Sequence, residues 1–105
     1  MATFDNRNTG LEVFGISYEN LLRLDRIAKP EEFEGDMNDF KNGIAIGSGV
    51  ARELGVKVGD SIKLISPNGV RTAFGTSPRV KKFKIVYIFT AGRYDIDRTR
   101  SYLPF

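Results

Sequence analysis

Gly47-Ser48-Gly49 stands between the apolar run Ile44-Ala45-Ile46 and a stretch of helical spacing, the place where a phosphate-cradling loop would sit. The pattern stops short of that chemistry. A dinucleotide-binding turn needs a further glycine at position 52, which is Arg52, and the Gly-Lys-Ser/Thr of a P-loop is absent. Ser48 is not set in a Gly-x-Ser-x-Gly nucleophile elbow either, because its neighbours two positions away are Ile46 and Val50. The motif reads as a tight turn with Ser48 capping a short helix. Asp60, after Gly59, has no second carboxylate nearby for acid–base work and reads as a turn residue that bonds backbone N–H groups. Asp95 and Asp97 offer two oxygen ligands where Ca²⁺ wants six or more, and the EF-hand glycine and closing Glu are missing. The acidic stretch Glu31, Glu32, Glu34, Asp36 and Asp39 reads as a solvated face. The 105 residues contain neither Cys nor His, which excludes disulfides, thiol nucleophiles, imidazole bases and the usual zinc sites. No catalytic, metal-binding or cofactor-binding residue is assigned, and the expectation is a protein that is not an enzyme.

Residues 67–78, Pro67-Asn68-Gly69-Val70-Arg71-Thr72-Ala73-Phe74-Gly75-Thr76-Ser77-Pro78, carry a different signal. Their flanks, 61–66 and 81–90, have the composition of two paired strands, and a tight hairpin would join them with two to five residues. Long connections inside small domains tend to be functional. Phe74 and Val70 give this one an apolar tip, which either projects or folds back as a plug. Lys63, Arg71, Arg79, Lys81, Lys82 and Lys84 lie beside it. Basic residues next to an exposed aromatic suit an acidic protein surface or a nucleic acid.

The elements that must position these residues follow from periodicity. Residues 1–10 read as a polar lead-in, and 11–105 as one domain. Residues 11–16 form a strand; Ser17 caps a helix over 18–27 with the stripe Tyr18, Leu21, Leu22 and Leu24, ended by Pro30. Residues 30–42 are a loop with one helical turn, held by Phe33, Met37 and Phe40. Strand 44–46 precedes a helix over 49–54, closed by Gly55. In 81–90, Phe83, Ile85, Tyr87 and Phe89 make one apolar face, while the other runs from Lys82 and Lys84 to Val86 and Ile88, as in a strand that enters the core. Residues 94–97 start a last strand or edge segment. The fold expected is α+β: a small, mostly antiparallel β domain with two short helices and a long projecting β-hairpin loop.

Net charge is +3, unevenly divided. Residues 1–55 hold 6 Lys/Arg and 10 Asp/Glu, whereas residues 56–105 hold 10 and 3. The basic half is built to meet an acidic partner. No apolar run reaches the ~20 residues of a membrane span, and the first residues lack the basic head and apolar stretch of a signal peptide. The apolar end at Tyr102-Leu103-Pro104-Phe105 reads as a cut from a longer chain.

The central stretch Ile44-Ala45-Ile46-Gly47-Ser48-Gly49-Val50-Ala51, then Leu54-Gly55-Val56-Lys57-Val58-Gly59-Asp60 and Leu64-Ile65-Ser66-Pro67, resembles the periplasmic domain of LolC/LolE-type permeases. Val13-Phe14-Gly15-Ile16 and Thr72-Ala73-Phe74-Gly75-Thr76-Ser77-Pro78-Arg79 fit as well, as do residues 83–89 with Gly92 and Tyr94-Asp95, so the resemblance covers about residues 9–105. These permeases belong to the ABC transporter that releases lipoproteins from the bacterial inner membrane. The resemblance implies an excised subdomain on the periplasmic face of that membrane, handling lipoprotein cargo and its carrier. A partner permease and a cytoplasmic ATPase subunit act through the full-length protein. In LolC-like members the long loop is a hook that recruits the periplasmic carrier chaperone LolA. Carried over by position, the tip is Arg71, Thr72, Ala73 and Phe74, and the base is Lys63, Val80 and Lys81. Ala73 stands where the family usually has Pro, and Val80 replaces a polar residue. The resemblance implies no cofactor and no nucleic acid. The alternatives are a small basic β-rich nucleic-acid-binding module and the periplasmic domain of a MacB-like efflux permease.

Overall fold

The computed structural model describes the backbone of residues 2–4, 7–72 and 75–104, and the side chains of these apart from 66–72, 75–79, 94 and 95. The long strand expected over 81–90 organises it. This strand, β7 in chain order, runs over Gly75–Thr90, and it changes partners along its length. Its first part pairs antiparallel with β6 (Ser61–Thr72), from Ser61↔Lys84 outward. Its last part lies between β5 (Ile44–Gly47), which runs parallel, and β4 (Glu32–Gly35), which runs antiparallel. The burial follows the residue types: Lys82 and Lys84 are exposed, whereas Ile85, Val86, Tyr87, Ile88 and Phe89 are all buried. A strand covered on both faces needs an unbroken apolar run, and β7 acquires one where it enters the core.

β5 continues the sheet to β8 (Arg100–Pro104), antiparallel, and β8 to β3 (Glu12–Ile16), parallel. At the other end β6 pairs with β1 (Ala2–Phe4), and β1 with β2 (Arg7–Thr9). The order β2-β1-β6-β7-β5-β8-β3, with β4 beside β7, is mostly antiparallel, as expected. Alternation along β5 divides the interior into two layers. Ile44 and Ile46 pack with Val50, Leu54, Ile62 and Ile85, while Ala45 faces Leu21, Ile27, Phe40, Phe89 and Tyr102. In the second layer the Tyr87 hydroxyl donates to the Ile27 carbonyl oxygen at 2.9 Å, satisfying a polar group that burial would otherwise leave costly.

Several local expectations are corrected. The first ten residues, read as lead-in, hold two strands, because Ala2 is small enough to be buried opposite Leu64. The helix over 18–27 is two short ones, α1 (Tyr18–Leu21) and α2 (Asp25–Ala28). At about 100° per residue a continuous helix would set Leu21 and Ile27 about 120° apart, too far to face one core together. The extended backbone at Leu24 (φ −85°, ψ 93°) turns both into the core and leaves Leu22 and Leu24 outside. The acidic loop contains β4 and a 3₁₀ turn, Met37–Asn42. Phe40 anchors it as expected, but Phe33 remains 62% exposed. Its paired strand is an edge, where charged residues such as Glu32 and Glu34 are normal. Residues 94–97 belong to a helix, α4 (Tyr94–Thr99), so with α3 (Ser48–Leu54) the described residues hold four short α-helices where two were expected.

Candidate partner-binding arm

The β6–β7 ladder is where the basic residues gather, and its register decides which of them share a face. Pairing runs regularly from Ser61↔Lys84 to Ser66↔Arg79, breaks, and resumes over Val70↔Ser77, Arg71↔Thr76 and Thr72↔Gly75. At the break Pro67, Asn68 and Gly69 of β6 face the single residue Pro78 of β7. Proline has no N–H for a ladder, so the prolines sit where pairing is interrupted, and such a bulge bends and twists the strands beyond it. The stretch read as a loop is thus largely an extension of both strands. Among the described residues, positions 70–72 and 75–77 pair only with each other.

Directly opposed residues of an antiparallel pair point to one side. Lys63 faces Lys82 across the ladder, Ile65 faces Val80, and Ser61 faces Lys84, so Lys63, Val80, Lys82 and Lys84 share the outer face. Lys63 also adjoins Thr3 of β1 on its other side. No carboxylate of a described residue is ion-paired with Lys63, Lys82 or Lys84. Val80 is 57% exposed among these cations, giving an apolar spot in a positive field. Lys81, expected beside Lys63 at the base, lies on the opposite face across from Leu64, with its Nζ 5.4 Å from the Phe83 ring centroid. A shift of one residue along a strand is enough to separate them. Lys82 and Lys84 take its place, and the alternation in 81–90 was the signal for them. Of the expected tip, Ala73 and Phe74 lie outside the described residues, and so do the side chains of Arg71 and Thr72. The choice between a projecting Phe74 and a plug falls there too.

The other motifs resolve into structure. Gly47 precedes α3 as its N-cap, and Ser48 is already helical and makes no side-chain cap bond, contrary to expectation. The glycines are there for close packing. A Cβ on Gly47 would overlap the Asp97 carbonyl, and one on Gly49 would stand 2.8 Å from Arg98 Cα, so α4 lies across the start of α3. Gly55 ends α3 in the left-handed region (φ 69°, ψ 36°), as read from the sequence. Asp60 Oδ2 accepts from the Lys57 N–H at 3.0 Å, as expected of a turn aspartate. Asp97 accepts from the N–H groups of Ala91 (2.6 Å) and Gly92 (3.2 Å), so its carboxylate holds the β7–α4 corner. No cluster of three potential metal ligands occurs among the described residues.

No family model matches the chain. A Neisseria meningitidis serogroup B protein named lipoprotein-releasing system transmembrane protein LolC is 38% identical over 56 residues, covering 53% of this chain and 14% of the relative. A Xylella fastidiosa protein of the same name is 37% identical over 67 residues, covering 61% of this chain and 16% of the relative. The chain is similar to LolC. The resemblance read from the sequence is therefore upheld by relatives bearing that name, over about half of the chain. The match takes in 14–16% of the LolC relatives' length, and no helix among the described residues is long and apolar enough to cross a membrane.

Proposed function

We propose that this chain is an extracytoplasmic domain of a lipoprotein-releasing ABC transporter permease, lying on the periplasmic face of the inner membrane, and that its β6–β7 arm recruits the periplasmic carrier chaperone. The observation that carries the reading is the ladder itself, which continues past Ser66 to Thr72↔Gly75 and pairs there with no third strand among the described residues. A two-stranded arm with little sheet support is marginal as structure, so its length is better accounted for by a partner. Phe74 is the anchor in this proposal, because one buried aromatic can dominate a small interface. Arg71, Thr72 and Ala73 surround it at the tip. At the base, Lys63 and Val80, joined by Lys82 and Lys84, meet an acidic rim of the carrier and raise the association rate, while Lys81 contacts it from the other side. The domain performs no catalysis in this reading. ATP is hydrolysed by a separate cytoplasmic subunit, and a partner permease and lipoprotein cargo engage the longer protein.

Titration calorimetry with the carrier chaperone tests the proposal. Phe74→Ala should weaken binding by about 2 kcal/mol or more while the circular dichroism spectrum stays unchanged. Undiminished binding would remove the arm from this role. Binding of oligonucleotides with a steep salt slope would favour the nucleic-acid reading instead.

A further inference from the structure

A second basic surface lies away from the arm, toward the β3 end of the sheet. A cavity of about 270 Å³ opens between α2 and β8, lined by Arg23, Arg26, Ile27, Arg100 and Tyr102 and by a single carboxylate, Asp25, so cations outnumber anions three to one. Arg23, Arg26 and Arg100 bring three guanidinium groups to it, and none is ion-paired with a described carboxylate. Its floor is apolar, since Ile27 and Tyr102 belong to the core. The cavity abuts β3 through two contacts: the Phe14 ring stacks on Tyr102 at 5.7 Å, and Arg100 lies 5.5 Å from the Phe14 centroid.

β3 is itself unusual. Among the described residues it pairs with β8 alone, which leaves one edge of its backbone open. Val13 and Phe14 point to opposite faces and are 42% and 40% exposed, so both faces of β3 still present apolar surface there. The edge strands β2 and β4 are shorter and carry Arg7 or Glu32 and Glu34, the usual protection against pairing. β3 has only Glu12 at its start.

We propose that this surface binds an extended acidic segment of a partner protein, added as a strand along the open edge of β3. Its backbone would satisfy the free edge of β3, its apolar side chains would cover Phe14 and Val13, and its carboxylates would meet Arg23, Arg26 and Arg100. Planar guanidinium groups suit carboxylates because they donate two parallel hydrogen bonds. A strand is favoured over a lipid headgroup because only a peptide supplies the donors and acceptors that an open sheet edge lacks.

Fluorescence anisotropy with a short synthetic peptide of alternating Glu and Val tests this. The peptide should bind saturably, and the Lys–Val counterpart should not. The double variant Arg23→Ala/Arg26→Ala, both exposed positions, should weaken binding about tenfold or more with unchanged circular dichroism. N-methylation of alternate peptide nitrogens, which keeps charge and removes ladder donors, should weaken it comparably. Equal binding of the N-methylated peptide, equal binding of the Lys–Val peptide, or binding of phosphatidylglycerol vesicles without binding of the Glu–Val peptide would each overturn the proposal.

Discussion

The Tyr87 hydroxyl, buried against the Ile27 carbonyl, ties β7 to α2. Tyr87→Phe should lower stability by about 1–3 kcal/mol, because it leaves a buried acceptor without its donor. Burial also raises the Tyr87 pKa above its ordinary 10.0. A raised pKa means that the folded state holds the proton more tightly than the unfolded one. The stabilisation is therefore complete below the ordinary value and disappears as pH rises through the raised one. Urea unfolding across alkaline pH should show a loss of stability that is shallower in Tyr87→Phe. The two serines give a sharper contrast. Ser17 Oγ accepts from the Asn20 N–H at 3.2 Å, so Ser17→Ala should cost about 0.5–2 kcal/mol. Ser48 makes no cap bond, and Ser48→Ala should stay within about 0.5 kcal/mol. Both serines stand before helical spacing and look alike in the sequence. What separates them is the fold: α4 crosses the start of α3 so closely that Gly47 takes the cap position and Ser48 is drawn into the helix.

At the scale of elements, legibility depended on whether a local pattern agreed with its tertiary setting. β7 was readable because its apolar alternation, its two lysines and its apolar second half each correspond to a stretch with its own partner strand. The C-terminal end of α3 at Gly55 and the Gly59-Asp60 turn were readable from backbone chemistry alone. β1, β2 and β4 were not, since three or four residues are too short to show a period and pairing with β6, β1 and β7 respectively is what orders them. The break at Leu24 was hidden too, because it serves the burial of Ile27, which a helical pattern does not show. For the arm, the flanks and the charge were legible, but not the register that places Lys82 rather than Lys81 with Lys63. Two like charges directly opposed across a ladder are destabilising. Lys82→Glu should thus raise stability by about 0.2–1 kcal/mol in urea titrations, on the usual scale of such pairs. In the proposed function the same change slows carrier association, and a variant more stable yet slower to bind would separate the two roles.

Across the whole molecule, charge is laid out along β7. The lysines of the outer face precede its entry into the core, and Glu32 and Glu34 flank its far end through β4. In the proposed function, an acidic carrier approaching the arm is attracted at one end of the domain and repelled at the other, which orients encounter. Such steering weakens with salt because the screening length falls to about 8 Å at physiological ionic strength. Stopped-flow association should therefore slow as salt rises, while dissociation, which the proposal assigns to Phe74, should change less. The central claim is that the arm is the carrier-binding element, and the most direct measurement is the carrier affinity of Phe74→Ala beside the parent chain. The account predicts a loss of about 2 kcal/mol or more with the fold intact; equal affinities would contradict it.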